Sequence, residues 1–397
     1  MSTKVFLHAG LPKSGTTYLQ AVLGKNTKQL GERAGLLYPG TTWQRQIDAV
    51  RDVRGMPVPA GRRGQVRGAW SRLAAEMNAW PGTSVLSMEW LCAAEEQDIK
   101  RIVDDLEGAD VHVVLTVRDL GRTLPAAWQE FVQNRASYSW SQFLDAVTGE
   151  NPYAEDAGRA FWRQQHAEDL VSRWARVLGP EHVHVVTVPA PGGDPAALWG
   201  RFSQVLGIDP AGYRLHNLTG NESLGLESVE LMRRLNPVTV EAGIPQQDYL
   251  EVFKRHMAKK NLSSRKKSES VLVVPERLHG WVRERAAQQV RTLEASGVHL
   301  VGDLGDLEPV LPTQGVQPED LDAEAILDAA VHGLVALAAL RSREREERQK
   351  ASQQQGPRPW RARLREALGR AERDHATVRR AGRLYRGTRG RVRRGGT

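Results

Sequence analysis

The sequence predicts an α/β fold: a parallel sheet with helices on both faces. Three observations carry that expectation. Short apolar runs rich in β-branched residues recur at Lys4–His8, Ser84–Glu89, Val111–Arg118 and His182–Pro189. Helical periodicity fills the intervals between them. The first apolar run is followed at once by a Gly/Pro break and a helix, "LHAGLPKSGTTYLQAVL". Strands alternating with helices in this way belong to sheets whose strands run parallel.

In chain order, helices are expected at Thr16–Ala34, Glu95–Leu106, Leu120–Asn134, Arg159–Leu178 and Pro195–Leu206. Residues 41–70 are rich in Gly, Arg and Pro. They lack clean periodicity apart from Thr42–Arg54, and read as an excursion near the site. After Asn217 the pattern turns helical, at Glu222–Asn236, Gln246–Lys259 and Pro275–Ser296. The stretch 302–320 is turn-rich and marks a boundary. The expected organisation is an α/β domain over 1–310, a helical extension over 318–350, and a linker with an Arg-rich tail, predicted to be disordered, over 351–397.

Composition narrows the classes. The chain has 397 residues, 40% hydrophobic and 26% charged. No apolar run near the ~18 residues of a membrane span is evident, and "VFLHAG" is too short for a secretory core. Cys92 is the only cysteine, which excludes an intrachain disulfide and a cysteine cluster for zinc. A cytoplasmic location is expected. The net charge of +8 is unevenly spread, because residues 358–397 hold 14 arginines against Glu366, Glu372 and Asp374. The tail therefore carries about +11 and the first 357 residues about −3, so the two need separate explanations.

The Gly/Pro break carries the first chemical signal. Gly10 and Gly15 are spaced as in the phosphate-binding G-x-x-x-x-G-K-[ST] loop, but Thr16 stands where its lysine belongs and Lys13 lies inside the loop. The loop is P-loop-like in its physics. N–H groups from Gly15 to Tyr18 open a helix without intrahelical acceptors and can point at an anion. Lys13 adds a point charge, and Thr16 and Thr17 add hydroxyls. Tyr18, Leu19, Val22 and Leu23 are expected to face the sheet. The plainer reading is a helix capped by Ser14. A second signal is Arg118, at the carboxyl end of a buried strand, where ligands of open α/β sheets bind. Its plainer readings are an ion pair with Asp119 or a helix cap.

Pro12-Lys13-Ser14-Gly15-Thr16-Thr17 resembles the 5′-phosphosulfate loop of sulfotransferases that use 3′-phosphoadenosine 5′-phosphosulfate (PAPS). The resemblance implies that Lys13 contacts the bridging oxygen and sulfonate, while Ser14, Gly15, Thr16 and Thr17 hold the 5′-phosphate. "VHVVLTVRDLGRTLPAAW" is similar to the family's 3′-phosphate segment, a strand leading to Arg118 and then, eight residues on, a serine. Here that position is Ala126, with Thr123 or Arg122 as substitutes. "TVRDLGRTLPAAWQE", "VHVVTVPAPGGDPAALWGRF" and "NESLGLESVELMRRLN" resemble a bacterial branch of the family, over residues 4–300 or so. Asn221 and Ser223 are further cofactor candidates, or helix caps.

The implied activity is transfer of a sulfonyl group from PAPS to a hydroxyl or amine of a carbohydrate or small metabolite, without a metal. Glu89, at the end of the second run, is the first candidate for the base that takes the acceptor's proton. An ion pair with Lys13 or Arg118 is its alternative role. His8, directly before the loop, is the second candidate, with a packed, hydrogen-bonded residue as its alternative. A nucleotide kinase or NTPase is the rival class, with Asp119 as its one candidate for Mg²⁺. A polyanion- or anionic-membrane-binding protein, acting through residues 358–397, is another. The run 259–270, "KKNLSSRKKSES", reads as a solvated loop, with a glycan-facing rim as its alternative.

Overall fold

The computed structural model describes residues 3–40, 42–59, 61–194, 196–216 and 223–354, with side chains to Lys350. Its contacts group the chain into Met1–Ala336 and Leu337–Thr397. The sheet and the site belong to the first unit. Asn221 and the basic residues 358–397 lie outside the described residues.

Six parallel strands form the sheet: β1 Lys4–His8, β2 Leu36–Leu37, β3 Thr83–Ser87, β4 Asp110–Val117, β5 Val183–Thr187 and β6 His299–Val301, in the order β2-β3-β1-β4-β5-β6. Helices flank it, and one further helix closes the described chain at Ala323–Gln354. In register, Lys4 sits between Thr83 and Asp110. The fold is the expected α/β sheet.

Both faces are buried, which is why the strands read as nearly unbroken apolar runs. Successive side chains alternate between two cores. Val5, Leu7, Val113 and Leu115 pack with Trp70 and Trp174 on one side. Phe6, Val85 and Val114 pack with Leu19, Trp199 and Phe202 on the other. Apolar burial of this kind contributes roughly 25 cal/mol per Å².

The strand order places the site. β1 lies between β3 and β4, and the chain leaves β1 toward one edge of the sheet but leaves β4 toward the other. Connections diverging from adjacent strands open a crevice at their carboxyl ends.

Several boundaries differ from expectation. The single helix expected over Thr16–Ala34 is two, α1 Thr16–Lys25 and a second at Thr27–Ala34. Asn26 divides them: its amide donates to Val22 O at 2.8 Å and Arg214 O at 3.2 Å, and its oxygen accepts from Arg214 N. The helix expected over Arg159–Leu178 breaks at His166 into Asp156–Gln165 and Ala167–Leu178. Residues 41–70 carry the helices Trp43–Val53 and Arg63–Val66 and the start of Ala69–Asn78. The expectation of no membrane-length apolar run also fails. A helix within Ala323–Lys350 is long and apolar enough to cross a membrane, with a mean hydropathy of 1.7 in its most apolar window. Glu324, Asp328 and His332 divide that stretch into short apolar runs along the sequence, while the average over it stays high.

Candidate functional site

The break after β1 lies directly on its neighbours. A Cβ at Gly10 would collide with Thr116 Oγ1 and His8 Nε2, so only glycine lets the chain cross there. Lys13 and Gly15 both take left-handed backbone angles, φ 69° and 85°, on either side of Ser14. The helix cap is Gly15, not Ser14. The Ser14 hydroxyl instead donates to Leu11 O, and lies 2.6 Å from Thr116 Oγ1 on β4. Its side chain is sealed inside the turn, where it holds the loop's shape and cannot meet a ligand. Gln165 braces the same turn by donating to Pro12 O at 2.8 Å. What the turn presents to the neighbouring cleft is Lys13, the largely buried Thr16, and Thr17, with the first N–H groups of α1, which helix geometry leaves without intrahelical acceptors.

Arg118 follows β4, and its Nη1 donates to Lys13 O at 3.3 Å. Neither plainer reading of Arg118 holds. Asp119 is the cap of the helix Leu120–Gln133 and pairs with Arg122, while also accepting from the N–H groups of Arg122 and Val310. That leaves Asp119 buried and fully engaged. Burial, helped by Arg122 and opposed by Asp119, pulls the Arg118 guanidinium down to about 10, so it stays charged at neutral pH.

The Lys13 ammonium donates to Glu130 Oε2 at 2.7 Å, and Lys254 donates to Glu130 Oε1 at 2.6 Å. Glu130 comes from the helix Leu120–Gln133 and Lys254 from the π-helical segment Leu250–Lys259. Burial works to raise the Glu130 carboxyl pKa, but the two ammonium groups hold it well below the usual carboxylate range.

Two clefts meet at Lys13. One, of about 570 Å³, is lined by Lys13, Thr16, Thr17, Tyr18, Glu89, Trp90, Glu130 and Phe131. The other, of about 420 Å³, is lined by Lys13, Arg118, Arg122, Ala126, Ser223, Lys259 and Lys266. Tyr18 is half-buried, packing against the core of Phe6, Val85 and Val114 while also lining the first cleft. Ser223 reaches the second cleft. Thr123 is buried in its helix, while Arg122 pairs with Asp119 and donates to Pro189 O but keeps Nη2 without a partner at the second cleft. Ala126 lines the second cleft without a hydroxyl.

Glu89 lies just past β3, in the short turn Glu89–Leu91. Its partner is Gln20 of α1, whose amide donates to Glu89 Oε2 at 2.8 Å. Arg54 fixes that turn by donating to Trp90 O and Ala93 O, each at 2.6 Å. His8 is a correction. It is fully buried, with Nδ1 2.7 Å from Ser87 Oγ and Nε2 3.3 Å from Thr116 Oγ1. Burial drives its pKa down to about 3. Both ring nitrogens are occupied and neither meets a cleft, so His8 cannot act as the base.

Sequence reasoning missed Glu130, Lys254, Lys259 and Lys266. The two later lysines belong to the run read as a solvated loop, yet they line the cleft that holds Arg118. Nothing in their local sequence distinguishes them from surface charges; only the packing of Leu250–Lys259 and Leu262–Lys267 brings them in.

Fold and site together define a class: a parallel α/β chain with a lysine-bearing turn at the crevice between its central strands, suited to a multiply anionic ligand. No family model matches the chain, and no curated protein matches it. Among solved structures it is similar to a sulfotransferase from Alicyclobacillus acidocaldarius, at 17% identity over 60% of this chain and 94% of that one, with a TM-score of 0.37. It is also similar to the sulfotransferase domain from the curacin biosynthetic pathway, at 15% identity over 55% of this chain and 80% of that one, with a TM-score of 0.30. With TM-scores this low, neither likeness bears on the residues of the site.

Proposed function

We propose that the chain transfers a sulfonyl group from PAPS to a hydroxyl or amine of a carbohydrate or small metabolite. The observation that carries this reading is the approach of two cationic stations. Arg118 faces the Lys13 turn across the crevice, so one nucleotide bearing phosphate at both ends can engage both. The second cleft, with Arg118, Lys259, Lys266 and Ser223, suits the 3′-phosphate. The α1 N–H groups with Thr16 and Thr17 suit the 5′-phosphate. The first cleft, where Glu89 meets Trp90 and Phe131, suits the acceptor.

In this reading the acceptor oxygen or nitrogen attacks sulfur in line, and the bond from sulfur to the 5′-phosphate oxygen breaks. Glu89 takes the acceptor's proton, and 3′,5′-ADP leaves. Lys13 and the helix N–H groups stabilise charge building on the departing oxygen. Gln20 and Arg54 hold Glu89 and its turn.

The kinase or NTPase reading loses its metal ligand, because Asp119 already caps a helix and pairs with Arg122. A thermal-shift titration tests the choice. 3′,5′-ADP is expected to stabilise the protein more than ADP, or ATP with Mg²⁺; a preference for ATP with Mg²⁺ overturns the proposal. For residues 358–397 we keep weak contact with a polyanion or anionic membrane as the proposed role. Salt-dependent retention on heparin that is lost when the chain ends at Gly356 is the expected result.

A further inference from the structure

At the amino edge of the sheet, away from Lys13, side chains from adjacent strands converge on one carboxylate. β4 opens with Asp110, and His112, two residues on, shares its face of the strand. The short turn Pro180–His182 leads into β5, the neighbour of β4, and delivers His182 to the same place. His112 Nε2 lies 2.9 Å from Asp110 Oδ2, and His182 Nε2 lies 3.1 Å from Asp110 Oδ1. All three donor atoms fall within 4.8 Å of one another. In a tetrahedral zinc site with bonds of about 2.0–2.1 Å, neighbouring ligand atoms sit about 3.3–3.4 Å apart. The two spacings to the carboxylate oxygens fall a few tenths of an ångström short of that value, which a bound ion would widen, and the donor atoms stay within 4.8 Å of one another.

The other ring nitrogens supply an independent observation. His112 Nδ1 lies 3.0 Å from His184 Nε2, whereas His182 Nδ1 makes no hydrogen bond and has the Glu181 carboxylate 3.4 Å away. Imidazoles that bind zinc through one nitrogen hold the other against an acceptor, which fixes tautomer and ring orientation. His184 is itself stacked on His299 of β6, with ring centroids 5.1 Å apart.

We propose that Asp110, His112 and His182 bind one zinc ion through the carboxylate and the two Nε2 atoms, with the fourth position left to water. Two imidazoles and a carboxylate suit zinc better than the all-oxygen shells of calcium and magnesium or the thiolates preferred by copper(I). Lys4 Nζ, 3.4 Å from Asp110 Oδ2, is the group the ion displaces. Both side chains of that pair are 41% exposed, so it contributes little to stability. The rise of β4 separates this site from Arg118 by roughly 25 Å. Its effect is to clamp the starts of β4 and β5, not to enter the transfer reaction.

The test uses the untagged full-length chain, stripped with a chelator, then titrated with Zn²⁺ by calorimetry and with Co²⁺ by visible absorption. One equivalent of Zn²⁺ is expected, with a raised melting temperature and an intense tetrahedral Co²⁺ spectrum that Zn²⁺ bleaches. His182→Gln and Asp110→Asn are each expected to weaken Zn²⁺ binding tenfold or more, while His332→Gln on an exposed helix leaves it unchanged. Absence of stoichiometric binding, a weak octahedral Co²⁺ spectrum, or affinity that survives both substitutions overturns the proposal. The Co²⁺ spectrum of the unsubstituted chain decides the matter even if a variant folds poorly.

Discussion

The guanidinium of Arg118 reaches the main-chain carbonyl of Lys13 at 3.3 Å, joining two positions 105 residues apart. That contact ties the end of β4 to the turn after β1 and sets a planar guanidinium beside the turn that carries the Lys13 ammonium. A ligand entering there meets positive charge from both sides of the crevice.

Lys13→Ala and Arg118→Ala should each weaken 3′,5′-ADP binding by roughly tenfold to a hundredfold, the scale of a lost charge-assisted hydrogen bond. Arg118→Lys should recover only part of the loss, because an ammonium lacks the planar fork that holds two phosphate oxygens. Calorimetric titration of the three variants measures this.

Glu89→Gln should leave the nucleotide-induced thermal shift intact and lower kcat by about 10²–10⁴-fold, the range of general base catalysis. Turnover near that of the unsubstituted protein would remove Glu89 from the role, and His8 could not replace it.

Lys259 gives the site a pH signature. Burial, with the nearby Lys13 and Lys254 ammonium groups and against the pull of Glu130, lowers its pKa to about 8. The group is cationic below that value and neutral above it. Affinity for 3′,5′-ADP should therefore fall as pH rises past about 8, and Lys259→Arg should flatten the fall.

Glu130→Gln should act in opposite directions on stability and binding. The carboxylate competes with an incoming anion for Lys13, so its loss should tighten 3′,5′-ADP binding several-fold. It also leaves Lys13 and Lys254 without their shared partner, at a cost of about 1–2 kcal/mol near neutral pH. Because the folded-state pKa of Glu130 is depressed, its contribution is complete above the unfolded value of about 4.3 and fades as pH drops below it. Denaturation midpoints of the two proteins should thus converge in acid.

His8 should reveal itself in stability rather than in rate. It stays neutral in the fold down to about pH 3, whereas in the unfolded chain it takes a proton near 6.5. Unfolding is favoured as pH falls through that window, by up to about 1.4 kcal/mol per pH unit. His8→Gln should flatten the urea midpoint between pH 6.5 and 5 and leave the pH profile of kcat unchanged.

The legible parts of the fold were those whose burial is written locally. β1, β3, β4 and β5 are apolar on both faces and each was foreseen to within two residues at either end. β2 and β6 have two and three residues, too few for any period to register. The break at Asn26 depends on Arg214, which is 188 residues away, so no local pattern could announce it. In the site, Lys13, Gly15, Thr16 and Thr17 were readable because a strand, a turn and a helix follow one another without interruption. Ser14 was readable as a member of the turn but not as a residue facing inward, whereas for His8 the packed, hydrogen-bonded alternative is the one the fold adopts.

Taken alone, the chain determined a parallel α/β sheet and a lysine-bearing turn suited to an anion. Both arise from short-range order, the alternation of strand and helix and the N–H groups that any helix start exposes. Tertiary structure decided which cations share a cleft, that Glu130 holds Lys13, that Asp119 is engaged and that His8 is sealed. Those outcomes depend on desolvation and, for Lys13 with Glu130, His8 with Thr116 and Asp119 with Val310, on pairings between residues more than a hundred positions apart, and neither quantity exists until the strands lie side by side.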